Sequence, residues 1–157
     1  MPESETFTGT ADLAVFAPDE TGNLHVLTGL RSGYPYKGRW ALPGGIVDAG
    51  ETFRGCAVRE LHEETNLIIE WETPLWFVDV YDAPHRDPRG RYVSCLYTTV
   101  FDRIPGVQAG DDLTDTRWIP APEAWRHSLA FDHEQMIRDA YRLLASHGAF
   151  TTTLHHT

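Results

Sequence analysis

The chain has 157 residues, 41% hydrophobic and 23% charged, and carries a formal net charge of -10. That is the size of one ordinary domain, expected to span 1–157 with a core at about 10–148, and its apolar content suffices for a core of its own. The acidic balance argues against a nucleic-acid backbone as partner, because nothing would neutralise the phosphates; small phosphorylated ligands bridged by divalent cations stay open.

No apolar run approaches the roughly 18 to 20 residues that cross a bilayer, so no membrane contact is expected. The acidic start "MPESETFTG" does not read as a signal peptide. With only Cys56 and Cys95, and no CxxC spacing, reduced thiols and a cytoplasmic location are the simplest expectation.

In chain order, "DLAVFA" (12–17) and "LHVLTGL" (24–30) are strand-like and joined by the turn signal "PDETGN". "RSGYPYKGRWALPGG" (31–45) reads as a loop broken by one short apolar step. Residues 52–65 read as helix. "LWFVDVY" (75–81) and "YVSCLYTTVF" (92–101) are strands flanking "DAPHRDPRGR". "TRWIP" (116–120) is a short strand, and 132–146 a last helix with Gly148 as its C-cap. The tail after it reads as frayed, with His155 and His156 in solvent rather than ligating. Strands on both sides of a central helix, with another helix at the end, predict an α/β fold with helices over a mixed sheet.

The stretch "RELHEETNL" (59–67) places Glu60, Glu63 and Glu64 at helical neighbour positions. With Phe53 at zero and about 100° per residue, Ala57 and Leu61 fall near +40° and +80° and Cys56 near -60°. Glu60 and Glu64 fall near -20° and +20° and Glu63 near -80°, continuing this inward face. Arg54, His62 and Thr65 take the opposite side, and Val58 falls there without explanation. A charge run is ordinarily a solvated face. Here like charges at helical spacing cost about 0.2–0.5 kcal/mol per pair, and inward placement adds desolvation. A hard divalent cation would offset both, since carboxylate oxygens suit Mg²⁺.

The wider window "GGIVDAGETFRGCAVRELHEETNL" (44–67) resembles the Nudix box of the Nudix hydrolases. Gly45, Glu51, Arg59, Glu60, Leu61, Glu63, Glu64 and Leu67 stand where the pattern asks; Asn66 replaces its usual Gly, at a site expected to be left-handed. The resemblance implies a Nudix fold, an α/β/α sandwich. It also implies Mg²⁺, with Mn²⁺ as a substitute, held by Glu60, Glu63 and Glu64 with a backbone carbonyl of Gly44 or Gly45. Arg59 is expected to fix a carboxylate, with Glu51 as its partner. For the base that activates water, relatives point to a late loop, here "QAGDDLTDT" (108–116) with Asp111, Asp112 and Asp115. Asp112 joins Glu51, Arg59, Glu63 and Glu64 in the expected catalytic set; Glu63 is the alternative base, and an exposed acidic loop the plainer reading.

Outside the box, "YDAPHRDPRGRYVSCLY", "DTRWIP" and "LAFDHEQMI" resemble the ADP-ribose pyrophosphatase branch, which shares these motifs with transcriptional sensors. Arg86, Arg89 and Arg91 are expected to bind substrate together with Tyr81; guanidinium forks suit phosphate and ribose oxygens. The alternative is a polar turn with Arg86 paired to Asp87. Tyr34, Tyr36, Trp40, Trp76, Phe77 and Tyr81 are stacking candidates or simply core. The resemblance implies cleavage of ADP-ribose to AMP and ribose 5-phosphate. Rival substrates are a nucleotide sugar, NADH or another dinucleotide, or a nucleoside triphosphate. A non-catalytic sensor is the rival class; the short stretch after the last helix and the filled acidic positions weigh against it. The resemblance also raises a homodimer, though no interface is visible in the sequence.

Overall fold

The computed structural model describes residues 3–105, 113–126 and 129–150. Its organising strand is β1 (Thr8–Pro18), buried from Ala11 to Ala17. A strand alternates its side chains between two faces. Ala11, Leu13 and Val15 therefore enter one cluster, with Leu27, Cys56, Ala57 and Leu61. Ala14 and Phe16 enter the other, with Val26, Leu96, Met136 and Ile137. Both faces need a cover, which is why the apolar run reads as nearly continuous rather than alternating. Burying one such Leu or Phe side chain contributes roughly 1.5–3 kcal/mol, so neither cover is dispensable.

β6 (Tyr92–Val100) lies parallel to β1, in register from Thr8 opposite Tyr92 to Phe16 opposite Val100. β5 (Trp76–Tyr81) pairs antiparallel outside β6. On the other side β2 (Leu24–Arg31) pairs antiparallel with the end of β1, then with β3 (Trp40–Ala41) and with β7 (Leu113–Pro120). β4 (Gly44–Ile46) pairs with the first half of β1, setting Gly44 opposite Asp12 and Gly45 opposite Ala11. α1 (Phe53–Thr65) covers one face. α2 (Ala121–Ala124) and α3 (His133–Ser146) cover the other. The architecture is the expected α/β/α sandwich around a mixed sheet.

The differences from expectation have local causes. β1 begins at Thr8 rather than residue 12, because β6 and β4 supply backbone partners that sequence pattern cannot reveal. The 31–45 segment holds β3 and β4, of 2 and 3 residues, too short for any periodicity. β7 starts at Leu113, and α2 is a single turn behind Pro120. Among the described residues no helix is long and apolar enough to cross a membrane.

Candidate active site

The site is built on α1. Thr52 caps its start, its hydroxyl accepting from the Gly55 N–H at 2.9 Å. Asn66 ends it at φ 61°, ψ 8°, donating its N–H to His62 O at 2.8 Å. The left-handed cap is thus the conformation that Asn tolerates best after Gly. Along the inward face Glu60 and Glu64 are buried, at 9% and 3% exposure. Glu63 lies on the flank with its side chain 46% exposed. Thr65, expected in solvent, is buried: its hydroxyl donates to Leu61 O at 2.6 Å and accepts from the Leu67 N–H at 3.2 Å. The chain turning back under the last helical turn overrides the helical wheel there.

β4 brings two bare backbone positions against these glutamates. A Cβ on Gly45 would stand 2.4 Å from the Glu60 carboxyl carbon, and one on Gly44 only 2.5 Å from Ala11 O. A side chain at Gly45 would displace Glu60 of α1, and one at Gly44 would run into the backbone and Asp12 of β1. The Gly44 N–H points at Glu64 Oε2, 3.4 Å away, while Gly45 O accepts from the Cys56 thiol at 3.5 Å. Behind Gly44 lies Asp12, buried on β1, which accepts a short hydrogen bond from Ser94. Its other oxygen lies 3.9 Å from Nε2 of buried His133. His133 Nδ1 accepts from the Leu42 N–H at 2.9 Å, so the ring proton resides on Nε2.

Arg59 is the hub. Its Nε and Nη2 donate to both oxygens of Glu51, at 2.7 and 2.9 Å, and Nη1 donates to Glu60 at 2.8 Å and Glu63 at 3.1 Å. This fork holds the Glu51 carboxyl down to about 2. Glu60 moves the other way: burial raises its affinity for protons against the opposing pull of Arg59. Glu64 is raised well above the carboxylate range, first by burial and then by repulsion from Glu60. Two buried carboxylates this close do not both ionise unaided.

This donor set fits a divalent cation in chemistry. It offers hard carboxylate oxygens short of countercharge, beside backbone that no Cβ screens. Among the described residues no three His, Cys, Asp or Glu groups already form a ligand cage, and Arg59 occupies oxygens of Glu60 and Glu63.

Glu60, Glu64, Gly44 and Asp12 line a cleft of about 460 Å³, large enough for a small-molecule ligand. The same cleft is lined by Arg31, Tyr34, Arg86, Arg89, Tyr92 and Phe131. Arg86 is not paired with neighbouring Asp87; it forks onto Asp132 at 2.9 and 2.6 Å. Asp87 instead receives Arg89 through Nε at 3.1 Å and Nη2 at 2.8 Å, and its carboxyl is lowered as these bonds outweigh burial.

Two of the expected substrate residues lie outside the lining of this cleft. Tyr81 packs against the α3-side core and donates its hydroxyl to Asp139 at 2.7 Å; burial and that carboxylate push the phenol up. Arg91 has Nε 3.7 Å from Glu5. Glu63 and Glu51 reach the site through Arg59 rather than by lining it. Asp111 and Asp112 lie outside the described residues; Asp115 is 54% exposed, 4.0 Å from Arg117. Of the aromatics, Tyr34 lines the cleft and Tyr36 abuts Phe131, whereas Trp76 stacks on His147 and Phe77 meets Tyr97 edge-on. Trp40 lies beneath the Arg117 guanidinium. Asp12, His133 and Phe131 were not anticipated. The available signals were a lone acid opening an apolar strand and a His beginning an amphipathic helix.

Residues 8–140 match the family model of the NUDIX domain. The chain belongs to the Nudix family. An ADP-ribose pyrophosphatase of Methanocaldococcus jannaschii is 42% identical over 113 residues, covering 71% of this chain and 63% of that protein. The ADPR responsive transcriptional repressor NtrR of Acinetobacter baylyi is 34% identical over 145 residues, covering 90% of this chain and 56% of the repressor. The chain thus spans less than two thirds of the length of either relative. Among solved structures, the NUDIX domain of Shewanella oneidensis NrtR complexed with ADP ribose superposes with a TM-score of 0.81 at 28% identity, covering 90% of each chain.

Proposed function

We propose that this Nudix domain hydrolyses the diphosphate linkage of ADP-ribose, releasing AMP and ribose 5-phosphate. The observation that carries the reading is a single cleft joining under-neutralised carboxylates to arginines and aromatic rings. The similarity to an ADP-ribose pyrophosphatase supports this substrate over a nucleotide sugar, a dinucleotide or a nucleoside triphosphate.

Mg²⁺, or Mn²⁺ in its place, would be held by Glu60, Glu63 and Glu64 beside Gly44, and when bound supplies charge neutralisation at phosphate oxygens and a more acidic water. Arg59 keeps Glu51, Glu60 and Glu63 oriented while they are unloaded. Asp112 or Glu63 takes the proton of the attacking water. Arg86 and Arg89 line the same cleft, where Arg89 would meet the substrate while Arg86 holds Asp132.

A panel assay tests this: the protein with Mg²⁺ is incubated with ADP-ribose, NADH, nucleotide sugars and nucleoside triphosphates, and phosphate is measured after phosphatase treatment. Turnover of ADP-ribose above the others is expected. Flat ADP-ribose with turnover of another compound overturns the substrate.

A second reading is an ADP-ribose-binding module without turnover. The likeness to an ADPR-responsive repressor and to a NUDIX domain complexed with ADP ribose favours it. Tight binding with no product after long incubation selects that reading.

A further inference from the structure

Besides Asn66, two non-glycine residues of the described chain hold left-handed backbone, and they touch each other. Tyr36 has φ 61° and Phe131 φ 53°, with ring centroids 4.8 Å apart. For a bulky aromatic this conformation is strained, and it persists only where the surroundings over-determine it.

Around Phe131 they do. Ala130 donates its N–H to Trp40 O at 2.8 Å. Asp132 is gripped by Arg86 at 2.9 and 2.6 Å, and His133 is fixed by the Leu42 N–H at 2.9 Å. Two segments distant in sequence, 40–42 and the one holding Arg86, thus clamp the residues on both sides of one strained position.

The clamp delivers the Phe131 ring to two guanidiniums. Arg31 Cζ lies 5.1 Å from its centroid and Arg89 Cζ 5.7 Å. Arg89 also lies 4.5 Å from the Tyr92 centroid and is held by buried Asp87. A guanidinium stacked by its face keeps its N–H groups in its own plane, where oxyanions bind. Arg89 gives Nε and Nη2 to Asp87 and Arg31 gives Nε to Pro35 O, so phosphate would meet the pair at their Nη edges.

We infer that Phe131 is a positioning residue for substrate: its strained ring sets Arg31 and Arg89 as a pair that receives the phosphate oxygens of a nucleoside diphosphate. This rests on the nucleoside-diphosphate reading given above. Phe131 acts on binding, through the arginines, and not on bond cleavage.

Three variants test it: Phe131→Leu keeps bulk without a ring face, Phe131→Tyr keeps the face, and Phe131→Gly removes both ring and backbone strain. Kinetics on ADP-ribose are read beside calorimetric binding of α,β-methylene-ADP with Mg²⁺, at a temperature where each variant is folded. The Leu and Gly variants are expected to raise KM and the analogue's Kd roughly tenfold, with kcat within about twofold. The Tyr variant should return both to near wild-type values. Unchanged KM and Kd in the Leu variant overturns the inference, as does a loss confined to kcat or a failure of Tyr to rescue. If ADP-ribose is not turned over by the wild type, the proposed activity falls, while analogue binding still judges Phe131. Wild-type protein that does not bind the analogue sinks Phe131's role.

Discussion

The acidic and cationic parts of the cleft neutralise charge by opposite rules. Among the carboxylates one arginine serves many: Arg59 divides itself between Glu51, Glu60 and Glu63, and buried Glu64 has no Arg or Lys partner among the described residues. Among the cations two side chains each have a carboxylate of their own: Arg86 has Asp132 and Arg89 has Asp87. Matched charge holds parts in place: Arg86 with Asp132 ties two segments together, and Arg89 with Asp87 fixes one guanidinium within its loop. Unmatched buried charge of one sign is unfavourable without a partner and marks where a mobile counter-ion belongs. Substitutions in the two parts should therefore fail in different ways.

Glu64→Gln gives the largest expected effect. It removes a charge at nearly constant shape, so turnover and Mn²⁺ affinity should both fall, turnover by roughly a hundredfold or more. Folding should not suffer. Without metal, loss of a buried, repelled carboxylate should stabilise the fold by about 1 kcal/mol, or roughly 2–4 °C in Tm. A variant with wild-type turnover and Mn²⁺ affinity would break the contrast at its acidic side.

Arg86→Ala should fail as stability. The guanidinium is buried, and removing one partner of a buried pair costs about 3–5 kcal/mol. Asp132 is part-exposed, which lowers that to about 2–3 kcal/mol, roughly 5–10 °C in Tm. In the double variant with Asp132→Ala the loss should be less than additive. Thermal unfolding of the four proteins measures this. An Arg86→Ala protein with unchanged Tm and a raised KM would instead make Arg86 a ligand-binding group.

The two parts also differ in how far they could be read from sequence. The acidic part sits on one helix and one preceding turn, so fixed spacing carries it. Glu51 lies eight residues before Arg59, and Asn66 stands where a left-handed cap falls. The helical wheel misplaces Thr65, where a neighbouring segment covers a face that the wheel assigns to solvent. The cationic part is assembled from residues near 31, 86–92 and 131, which no fixed spacing joins, and the pairing of Arg86 is tertiary. Arg86 passes over adjacent Asp87 for Asp132, 46 residues away. Tyr81 and Arg91 lie in strand and loop beside the right arginines, yet Tyr81 meets Asp139 and Arg91 approaches Glu5. In the fold, the same alternation that names β1's core face also buries Asp12, whose partners Ser94 and His133 come from β6 and α3.

His133 offers the smallest effect and a sharp one, because it borders both parts. It is fully buried, and that burial lowers its affinity for protons; Asp12 and Asp132 pull the other way, while Arg86 and Arg31 add to the lowering. The unfolded chain protonates this imidazole near its ordinary 6.5, the folded chain only at lower pH. Depressed in the fold, the group leaves stability intact above about 6.5 and erodes it as pH falls, by up to about 1.4 kcal/mol per pH unit. His133→Asn places an amide oxygen where Nδ1 accepts the Leu42 N–H and cannot be charged. It should cost some stability at pH 8 by lost volume, yet show a shallower decline between about pH 6.5 and 5 than the wild type. Urea unfolding at half-unit pH steps reads the two slopes. Equal slopes would mean that Asp12 and Asp132 hold the proton on His133 in the folded chain, and that the polar cluster behind Gly44 is charged on both sides rather than acidic alone.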